Sequence, residues 1–386
     1  MKLKYCIFFL ATFSLISVFA QEGEEGMVEN NMKAIYDKKD QEEISELKDR
    51  FDKWAYSNKK HAPFVYFSPM YQYGTGSSAS ANNLHSDLGI IYKWRAIKKE
   101  KWKMNIHGWL EQTSFWAGET TSDFAKKLNM ITTPNASSES DHDLSLEQLM
   151  AEFFFFNQKL DVSFGKFDPL FLTTFTDYSG WDKYNYFMKS AASDPVPDIS
   201  AGMGIYSEYH FTDNFSFGGI ISDNDARNNY LYIPKFSNTS WNYMGFLRFK
   251  IGTGKGLYSS HNLVYYSQDA KEGQQSGSGF VYTANQGLTD NLILVLKASN
   301  GSGHIDKLNS TFVAGLTFKK PLNRIQDQAG FALVMNEKSG NYEYGIDTYY
   351  RYFINEYINV APNFQLISTV NDKVNTVFGL RSFIMF

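Results

Sequence analysis

Large apolar side chains recur at every second position in the last nine residues of the chain, FGLRSFIMF. One face of an extended strand would carry Phe378, Leu380, Ile384 and Phe386, and the opposite face would carry Arg381. Successive side chains of a β-strand point to opposite faces, so this period of two predicts one apolar face and one face that can meet water. The same alternation recurs along most of the chain. It predicts an all-β fold, a transmembrane antiparallel up-and-down β-barrel.

The composition favours spanning by strands over spanning by helices. Beyond the N-terminal region no stretch approaches the ~18 unbroken apolar residues of a spanning helix. The most apolar short run, Leu149 to Phe156, already contains Glu152. Yet 17% of the residues are aromatic, with 25 Tyr and 33 Phe. That content exceeds what a single soluble core usually requires, although a soluble β-sandwich could also alternate and is the alternative.

The first 20 residues predict export. Lys2 and Lys4 precede an apolar run that ends at Ala20, which is the pattern of a secretory signal peptide cleaved after that residue. The run is shorter than the ~20 residues of a spanning helix, so a membrane anchor is the weaker alternative. The only cysteine, Cys6, lies in this segment, and no disulfide is expected in the exported chain. The expected location is the outer membrane of a bacterial cell.

Residues 21–60 differ in character and are expected to form an acidic, partly helical periplasmic segment. Asp40 and Glu43 form a pair that resembles a capping box. The apolar residues that follow recur at intervals of three and four and make a narrow helical stripe: Ile44, Leu47, Phe51 and Trp54. A helix that packs under the barrel and a short self-associating coil both fit this stripe.

From Ala62 onward about sixteen strands can be placed, each of about 9 to 14 residues, close to the length that a tilted strand needs to cross a bilayer. Short, turn-like connections alternate with longer ones, such as residues 74–83, 118–143 and 168–198. Short turns at one end and long extracellular loops at the other are the pattern of outer-membrane barrels. The barrel is therefore assigned to residues 61–386.

The polar strand faces predict a water-filled interior. An Arg or Lys that faced lipid near the midplane would cost about 2 to 4 kcal/mol, so charged strand residues are expected to point inward. Both signs occur, so no strong preference for anions or cations follows. For each such residue, a structural ion pair in the lumen is the alternative to contact with a solute. The charged candidates for the pore are Lys93, Arg95, Glu111, Glu152, Glu208, Arg248, Asp347, Arg351 and Arg381.

Residues 168–198 form a connection unlike the others, because it is both long and rich in aromatic residues. A loop of this length is usually functional or disordered, and its aromatic content argues against disorder. Folded into the lumen it would narrow the pore; the alternative is that the rings merely pack the loop against the wall. The candidate residues in it are Tyr178, Trp181, Asp182, Tyr184 and Tyr186.

Two blocks of sequence resemble one family. The first runs from Gly165-Lys166-Phe167-Asp168-Pro169 through the aromatic loop and Phe187 to Pro197 to the strand Ala201 to Tyr206. It is similar to the central region of the carbohydrate-selective (OprB-like) porins of bacterial outer membranes. The second comprises Pro362 to Ile367, Phe378 to Arg381 and the terminal Phe386, and it is similar to that family's closing strands. The resemblance implies a barrel of about 16 strands that passes small sugars by facilitated diffusion, with no cofactor.

Catalysis and metal binding find little support in the sequence. The seven His residues occur singly, without a nucleophile motif or a tight His/Cys cluster. His107 with Glu111, and Glu208 with His210, share strand faces, and a structural lumen pair is the simpler explanation for both. The protein is therefore predicted not to be an enzyme, with no metal site, and its net charge of −4 does not indicate nucleic-acid binding.

The sequence thus predicts a passive sugar porin, with two alternatives. One is a general or anion-preferring porin, and the other is a plugged barrel with a structural or adhesion role. The expected partners are small sugars, outer-membrane lipid and, through Phe386, the barrel-assembly machinery. A homo-oligomer is compatible with the sequence, since lipid-facing and subunit-facing strands look alike.

Overall fold

The computed structural model describes residues 60–76, 79–99, 101–136, 142–174, 178–180, 184–192, 199, 201–224, 240–251, 257–270, 275–303, 308–369 and 373–386, with only the backbone of residues 142 and 143. The signal peptide, the cysteine within it and nearly all of the acidic segment 21–60 lie outside these residues. So do two candidates from the aromatic loop, Trp181 and Asp182.

Sixteen antiparallel strands close into a single barrel. The strands are β1 (His61–Thr75), β2 (Ser80–Lys98), β3 (Trp102–Gly118), β4 (His142–Phe155), β5 (Leu160–Phe167), β6 (Gly202–Thr212), β7 (Phe215–Asp223), β8 (Trp241–Phe249), β9 (Ser259–Gln268), β10 (Gly277–Thr289), β11 (Leu292–Gly303), β12 (Ser310–Lys319), β13 (Gln328–Lys338), β14 (Asn341–Asn355), β15 (Ile358–Ser368) and β16 (Val374–Met385). Each strand pairs with the next along the chain, and β16 closes on β1, where Met70 lies opposite Arg381. The predicted fold class is confirmed.

The strand lengths vary more than the sequence pattern predicts. They run from 8 residues in β5 to 19 in β2. The prediction of a long connection at residues 74–83 is wrong, because Gly74 and Thr75 continue the ladder opposite Ala81 and Ser80. Two strands can continue to pair through their backbones beyond the last apolar residue of either strand. The alternation of side chains therefore does not show where the pairing ends.

Most of the tight turns lie at one end of the barrel, and the longest connections lie at the other end, which also has a two-residue turn at residues 339–340. Turns at residues 156–159, 213–214, 290–291 and 356–357 lie at the end where β1 begins and β16 ends. The long connections contain three short helices, α1 (Thr121–Lys127), α2 (Pro169–Thr174) and α3 (Lys189–Ala192). Among the described residues, no helix has the length and apolar character needed to cross a membrane.

Side chains alternate between the outer surface and the interior as the period of two predicts. In β16, Phe378 and Leu380 are about half exposed on the outside, whereas Arg381 and Phe383 are buried inside. Exposed apolar residues of the other strands continue this outer surface, among them Leu88, Ile205, Leu263, Phe312 and Tyr344. The outer face therefore suits lipid.

Part of the barrel interior is packed with side chains. Apolar clusters of the described residues join strand residues to the long connections. The largest places Tyr186, Phe187 and Met188 against the wall residues Val334 and Ile367. Chain segments from the long-loop end therefore fold back into the lumen, and these segments determine the shape of any pore.

Candidate functional site

The described residues of the connection 168–201 enter the lumen, and local sequence directs this path; we call this connection the inward loop. Gly165, near the end of β5, has φ +142, and a Cβ there would overlap the carbonyl oxygen of Leu149, so the bend needs glycine. After it, the Asp168 carboxylate accepts the backbone N–H groups of Leu170 at 2.8 Å and Phe171 at 3.4 Å. With Pro169 as the first helical residue, this is a capped helix start. The Gly165 to Pro169 block therefore ends β5 and begins α2.

Basic residues of the wall hold the inward loop by its backbone carbonyls. Arg351 donates to the carbonyl of Tyr184 at 2.7 Å, and Arg381 donates to that of Asn185 at 2.8 Å. Lys297 in β11 donates to the carbonyl of Ser179 at 3.2 Å. Bonds from a charged donor are stronger than neutral ones, and here they are buried. These cations hold the backbone of the inward loop at Ser179, Tyr184 and Asn185.

Two more predicted candidates hold the same loop. The Asp347 carboxylate accepts the backbone N–H groups of Phe187 at 2.9 Å and Met188 at 2.8 Å. Arg248 donates to the carbonyl of Leu172 in α2 and, at 3.0 Å, to the carboxylate of Glu208. Four of the nine charged pore candidates, Arg248, Asp347, Arg351 and Arg381, thus lie in the lumen in contact with the inward loop. A sequence pattern can place them inside but cannot show that their partner is a loop backbone.

The aromatic candidates of the inward loop have different surroundings. Tyr186 is fully buried, and its hydroxyl donates to the carbonyl of Leu316 at 3.0 Å. Tyr178 is also buried and meets the ring of Tyr258 edge-on at 5.1 Å between centroids. Tyr184 is only partly buried and lies under the Arg351 guanidinium at 3.8 Å. Tyr178 and Tyr186 therefore pack the loop against the wall, and Tyr184 keeps an accessible part.

A second segment, residues 119–136, also packs inside the barrel, and we call it the rim segment. Apart from the length of the connection, nothing in its sequence indicates this packing. Gln365 donates to the carbonyl of Pro134 at 2.8 Å, and Asn375 donates to that of Leu128 at 2.8 Å. The Glu343 carboxylate accepts the backbone N–H of Ile131 at 2.7 Å. The N–H of Lys189 at the start of α3 donates to the carbonyl of Thr133 at 3.2 Å, so the two segments also hold each other.

The start of α1 in the rim segment is capped by Thr120. Its side chain accepts the backbone N–H of Asp123 at 3.2 Å. The hydrogen bond from the Thr120 hydroxyl and the nearby Lys126 ammonium lower the pKa of the exposed Asp123 carboxyl. The described part of this segment therefore presents charged groups to water at the long-loop end, at Asp123, Lys126 and Lys127.

Rings from the wall and from the inward loop form a continuous aromatic run. Phe171 of α2, about one-third exposed, meets the Trp109 ring of β3 at 5.9 Å between centroids. The indole of Trp109 donates to the Tyr66 hydroxyl at 3.2 Å, and that hydroxyl donates to Glu111. The Tyr66 ring lies 5.4 Å from Phe383, which lies 5.6 Å from Tyr184. The aromatic run thus comprises Phe171, Trp109, Tyr66, Phe383 and Tyr184.

Polar groups lie beside the aromatic run on the wall formed by β2 to β6. Glu152 accepts from His107 at 2.9 Å and from Asn105 at 3.1 Å. Lys93 and Arg95 of β2 lie opposite His107 and Asn105 in the ladder. The other two predicted charged residues on this wall are Glu111 in β3 and Glu208 in β6. The arrangement can offer hydrogen bonds of both polarities next to flat apolar rings.

Comparison with known proteins gives distant sequence relatives. No family model matches the chain. It is 24% identical over 351 residues to porin AaxA of Chlamydia pneumoniae, covering 79% of each chain. It is also 24% identical over 225 residues to porin AaxA of Chlamydia trachomatis serovar L2, covering 54% of this chain and 48% of the relative. The chain thus spans about half the length of the Chlamydia trachomatis relative.

Solved structures define the class of fold. The barrel is similar to Pseudomonas putida OprB in its high-pH structure, with a TM-score of 0.72 and 14% identity over 85% of this chain and 94% of that one. It is less similar to a mutant porin of Rh. blastica, with a TM-score of 0.52 and 12% identity over 84% of this chain and 100% of that one. The fold is that of a 16-stranded porin. The resemblance to the OprB-like porins seen in the sequence is confirmed at the level of the fold.

Proposed function

We propose that the protein is an outer-membrane porin that passes small sugars by facilitated diffusion, down their concentration gradient. The observation that carries this proposal is the aromatic run, in which Phe171 of the inward loop meets Trp109 of the wall. Sugars have weakly polar faces of C–H groups and rims of hydroxyls. A site with flat rings beside a few placed polar groups suits both features.

The steps of permeation follow from this arrangement. A sugar enters from the long-loop end and slides over the rings of Phe171, Trp109 and Tyr184. Its hydroxyls exchange water for groups such as His107 and Glu111 of the neighbouring wall. Aromatic contacts are worth only about 0.5 to 1.5 kcal/mol each, so the sugar binds loosely enough to leave. No energy source is required.

The cellular setting is part of the same proposal. The apolar outer surface of the barrel would be covered by outer-membrane lipid. The signal peptide ending at Ala20 would direct export, and the exposed terminal ring of Phe386 would engage the barrel-assembly machinery. The porin name of the Chlamydia relatives and the fold of Pseudomonas putida OprB support an outer-membrane location.

A second candidate function, a plugged barrel with a structural or adhesion role, is favoured by one specific observation. The inward loop and the rim segment fill part of the lumen and hold each other through Lys189 and Thr133. The clusters around Phe187 and Phe167 consist of buried apolar side chains. Whether solutes pass is therefore the first question for experiment.

Liposome swelling with the full-length protein would distinguish these functions. A sugar series and a series of linear polyols of matched size would be compared. We expect sugars to enter faster than polyols of the same size. Equal rates ordered only by size would instead favour a general porin, and the absence of swelling with every solute would favour the plugged barrel.

A further inference from the structure

A buried cluster of titratable groups lies on the wall formed by β4, β5 and β6. Asp161 of β5 and His210 and Glu208 of β6 are at most 8% exposed, and Glu152 of β4 is fully buried beside them. Asp161 lies directly opposite Glu208 in the ladder. These positions are close to the turns at residues 156–159 and 213–214, so the cluster lies toward the tight-turn end.

Pairing of β5 with β6 brings together residues of this cluster that are distant in the sequence. Asp161 precedes the inward loop and His210 follows it, so no spacing in the sequence indicates their proximity. Each of Asp161, Glu208 and His210 offers one donor atom, and the three atoms lie within 4.8 Å of one another. Nε2 of His210 lies 3.2 Å from Asp161, and Nδ1 lies 4.0 Å from Glu208; one of these two nitrogens would be the donor to an ion.

Three buried polar atoms of this cluster have no hydrogen-bond partner among the described residues. They are Oδ1 of Asp161, Nδ1 of His210 and Oε1 of Glu152. Buried polar atoms are nearly always paired, because leaving them unpaired loses their hydration without replacement. Oδ1 of Asp161 and Nδ1 of His210, which belong to the three-residue group, are good metal donors when the carboxyl is ionised and the imidazole is neutral.

The charges of the cluster also do not balance. Glu152, Asp161 and Glu208 are three carboxylates, and the guanidinium of Arg248, 3.0 Å from Glu208, is the one cation that pairs with them in the described part of the wall. With all three carboxyls ionised and with His107 and His210 neutral, three negative charges face one positive charge, and two remain uncompensated. Buried charges are tolerated when they are paired or when they coordinate a metal ion. A divalent cation would restore neutrality.

We propose that Asp161, Glu208 and His210 bind one divalent transition-metal ion, with Zn²⁺ as the best fit. Imidazole nitrogen with carboxylate oxygens is a donor set that Zn²⁺ accepts, whereas Mg²⁺ and Ca²⁺ prefer oxygen donors alone. Metal–donor bonds of about 2.0 to 2.2 Å place two donors of one ion no more than about 4.4 Å apart, so only small side-chain movements are needed. The 4.0 Å between His210 and Glu208 already meets this limit.

The site is joined to the inward loop through one residue. Glu208 binds Arg248, and Arg248 donates to the carbonyl of Leu172 in α2. An ion held by Glu208 would therefore fix the wall behind the helix that carries Phe171. This role is separate from sugar passage, and the metal proposal does not depend on the proposed function.

The test is a Zn²⁺ titration of the full-length protein, purified in detergent and freed of metal with a chelator. We expect saturable binding of about one ion per chain, unaffected by millimolar Mg²⁺. Asp161→Asn and His210→Gln should each weaken binding by about tenfold or more. The matched control is His261→Gln, because His261 hydrogen-bonds to Tyr282 and Gln286 away from the cluster. This variant should bind Zn²⁺ with the affinity of the wild type.

Three results would overturn the proposal: no saturable binding by the wild type, wild-type affinity in both cluster variants, or an equal loss in the control. Gel mobility with and without heating shows which variants form a barrel. If neither cluster variant folds, the ligands of the bound ion are identified instead by X-ray absorption at the zinc edge of the wild-type protein. A first shell with one imidazole nitrogen and carboxylate oxygens supports the site, and a shell of water oxygens alone refutes it.

Discussion

Arg381, in the last strand, donates a hydrogen bond at 2.8 Å to the carbonyl of Asn185 in the inward loop. Its guanidinium also lies 4.1 Å from the centre of the Phe187 ring. The side chain is 1% exposed, so it is no longer available to a solute. A charged lumen residue near the C-terminus thus positions a loop almost two hundred residues earlier in the chain.

Removing this contact should loosen the inward loop. We expect Arg381→Ala to lose about 2 kcal/mol of stability, since it removes a buried bond from a charged donor and a cation–π contact. Single-channel recordings should show larger or noisier conductance. Lys126→Ala, which removes a mostly exposed ammonium of the rim segment, is the control. Identical conductance traces for the wild type and Arg381→Ala would mean that the loop is held without this residue.

Asp347 offers a second test of the same anchoring, with opposite charge. Its carboxylate accepts from the backbone of Phe187 and Met188 and from the Asn363 amide at 2.6 Å. Asp347→Asn keeps the size but loses the charge and part of the accepting capacity, so we expect more frequent closures or increased open-channel noise. The control is Asn341→Asp, which exchanges the same two residue types in the reverse direction at an exposed strand end. It should leave the open-channel noise unchanged.

A glycine in the wall makes room for the loop. A Cβ on Gly315 would lie 2.9 Å from the Tyr186 hydroxyl and 2.9 Å from the carbonyl oxygen of Phe331. Because the carbonyl cannot move freely, Gly315→Ala should cost about 1 to 3 kcal/mol as overpacking. Gly245→Ala is the matched control, since nothing lies within 4 Å of its Cβ position. Denaturant unfolding of both variants measures the difference; equal midpoints would show that Tyr186 can shift without cost.

The sequence predicts the barrel well because its pattern is local and periodic. Each strand shows its own alternation, so Phe378 and Arg381 could be assigned to opposite faces without a structure. The partners of the inward charges could not be predicted. Arg351 and Asp347 bind backbone groups of a loop, and a backbone carbonyl or N–H has no sequence signature. The burial of the rim segment was missed for the same reason.

The aromatic run was only partly predictable. The sequence pattern places Trp109 on the inner face of β3, but its neighbour Phe171 belongs to α2, whose direction depends on the bend at Gly165. Tyr186 was grouped with Tyr184 as a pore residue because both are loop aromatics. In the structure one is fully buried and the other is partly accessible, a difference set by which side of the loop faces the wall.

The role of Trp109 gives the most direct test of sugar passage. If sugars stack on the aromatic run, Trp109→Ala should weaken the sugar-induced block of ion current about three- to tenfold, the equivalent of one aromatic contact. Ion conductance should change less, because ions gain little from a flat ring. The control is Trp116→Ala, which removes the same residue type from the same strand, where Trp116 is 61% exposed. This variant should leave the block unchanged.

Two outcomes would contradict the prediction. A block that persists at full strength in Trp109→Ala would exclude the Trp109 ring from the solute path, and equal effects of both variants would indicate a general disturbance of β3 rather than a binding site. Because Trp109 and Phe171 would together form the surface on which the sugar stacks, Trp109→Ala should weaken the sugar-induced block without lowering the stability of the barrel.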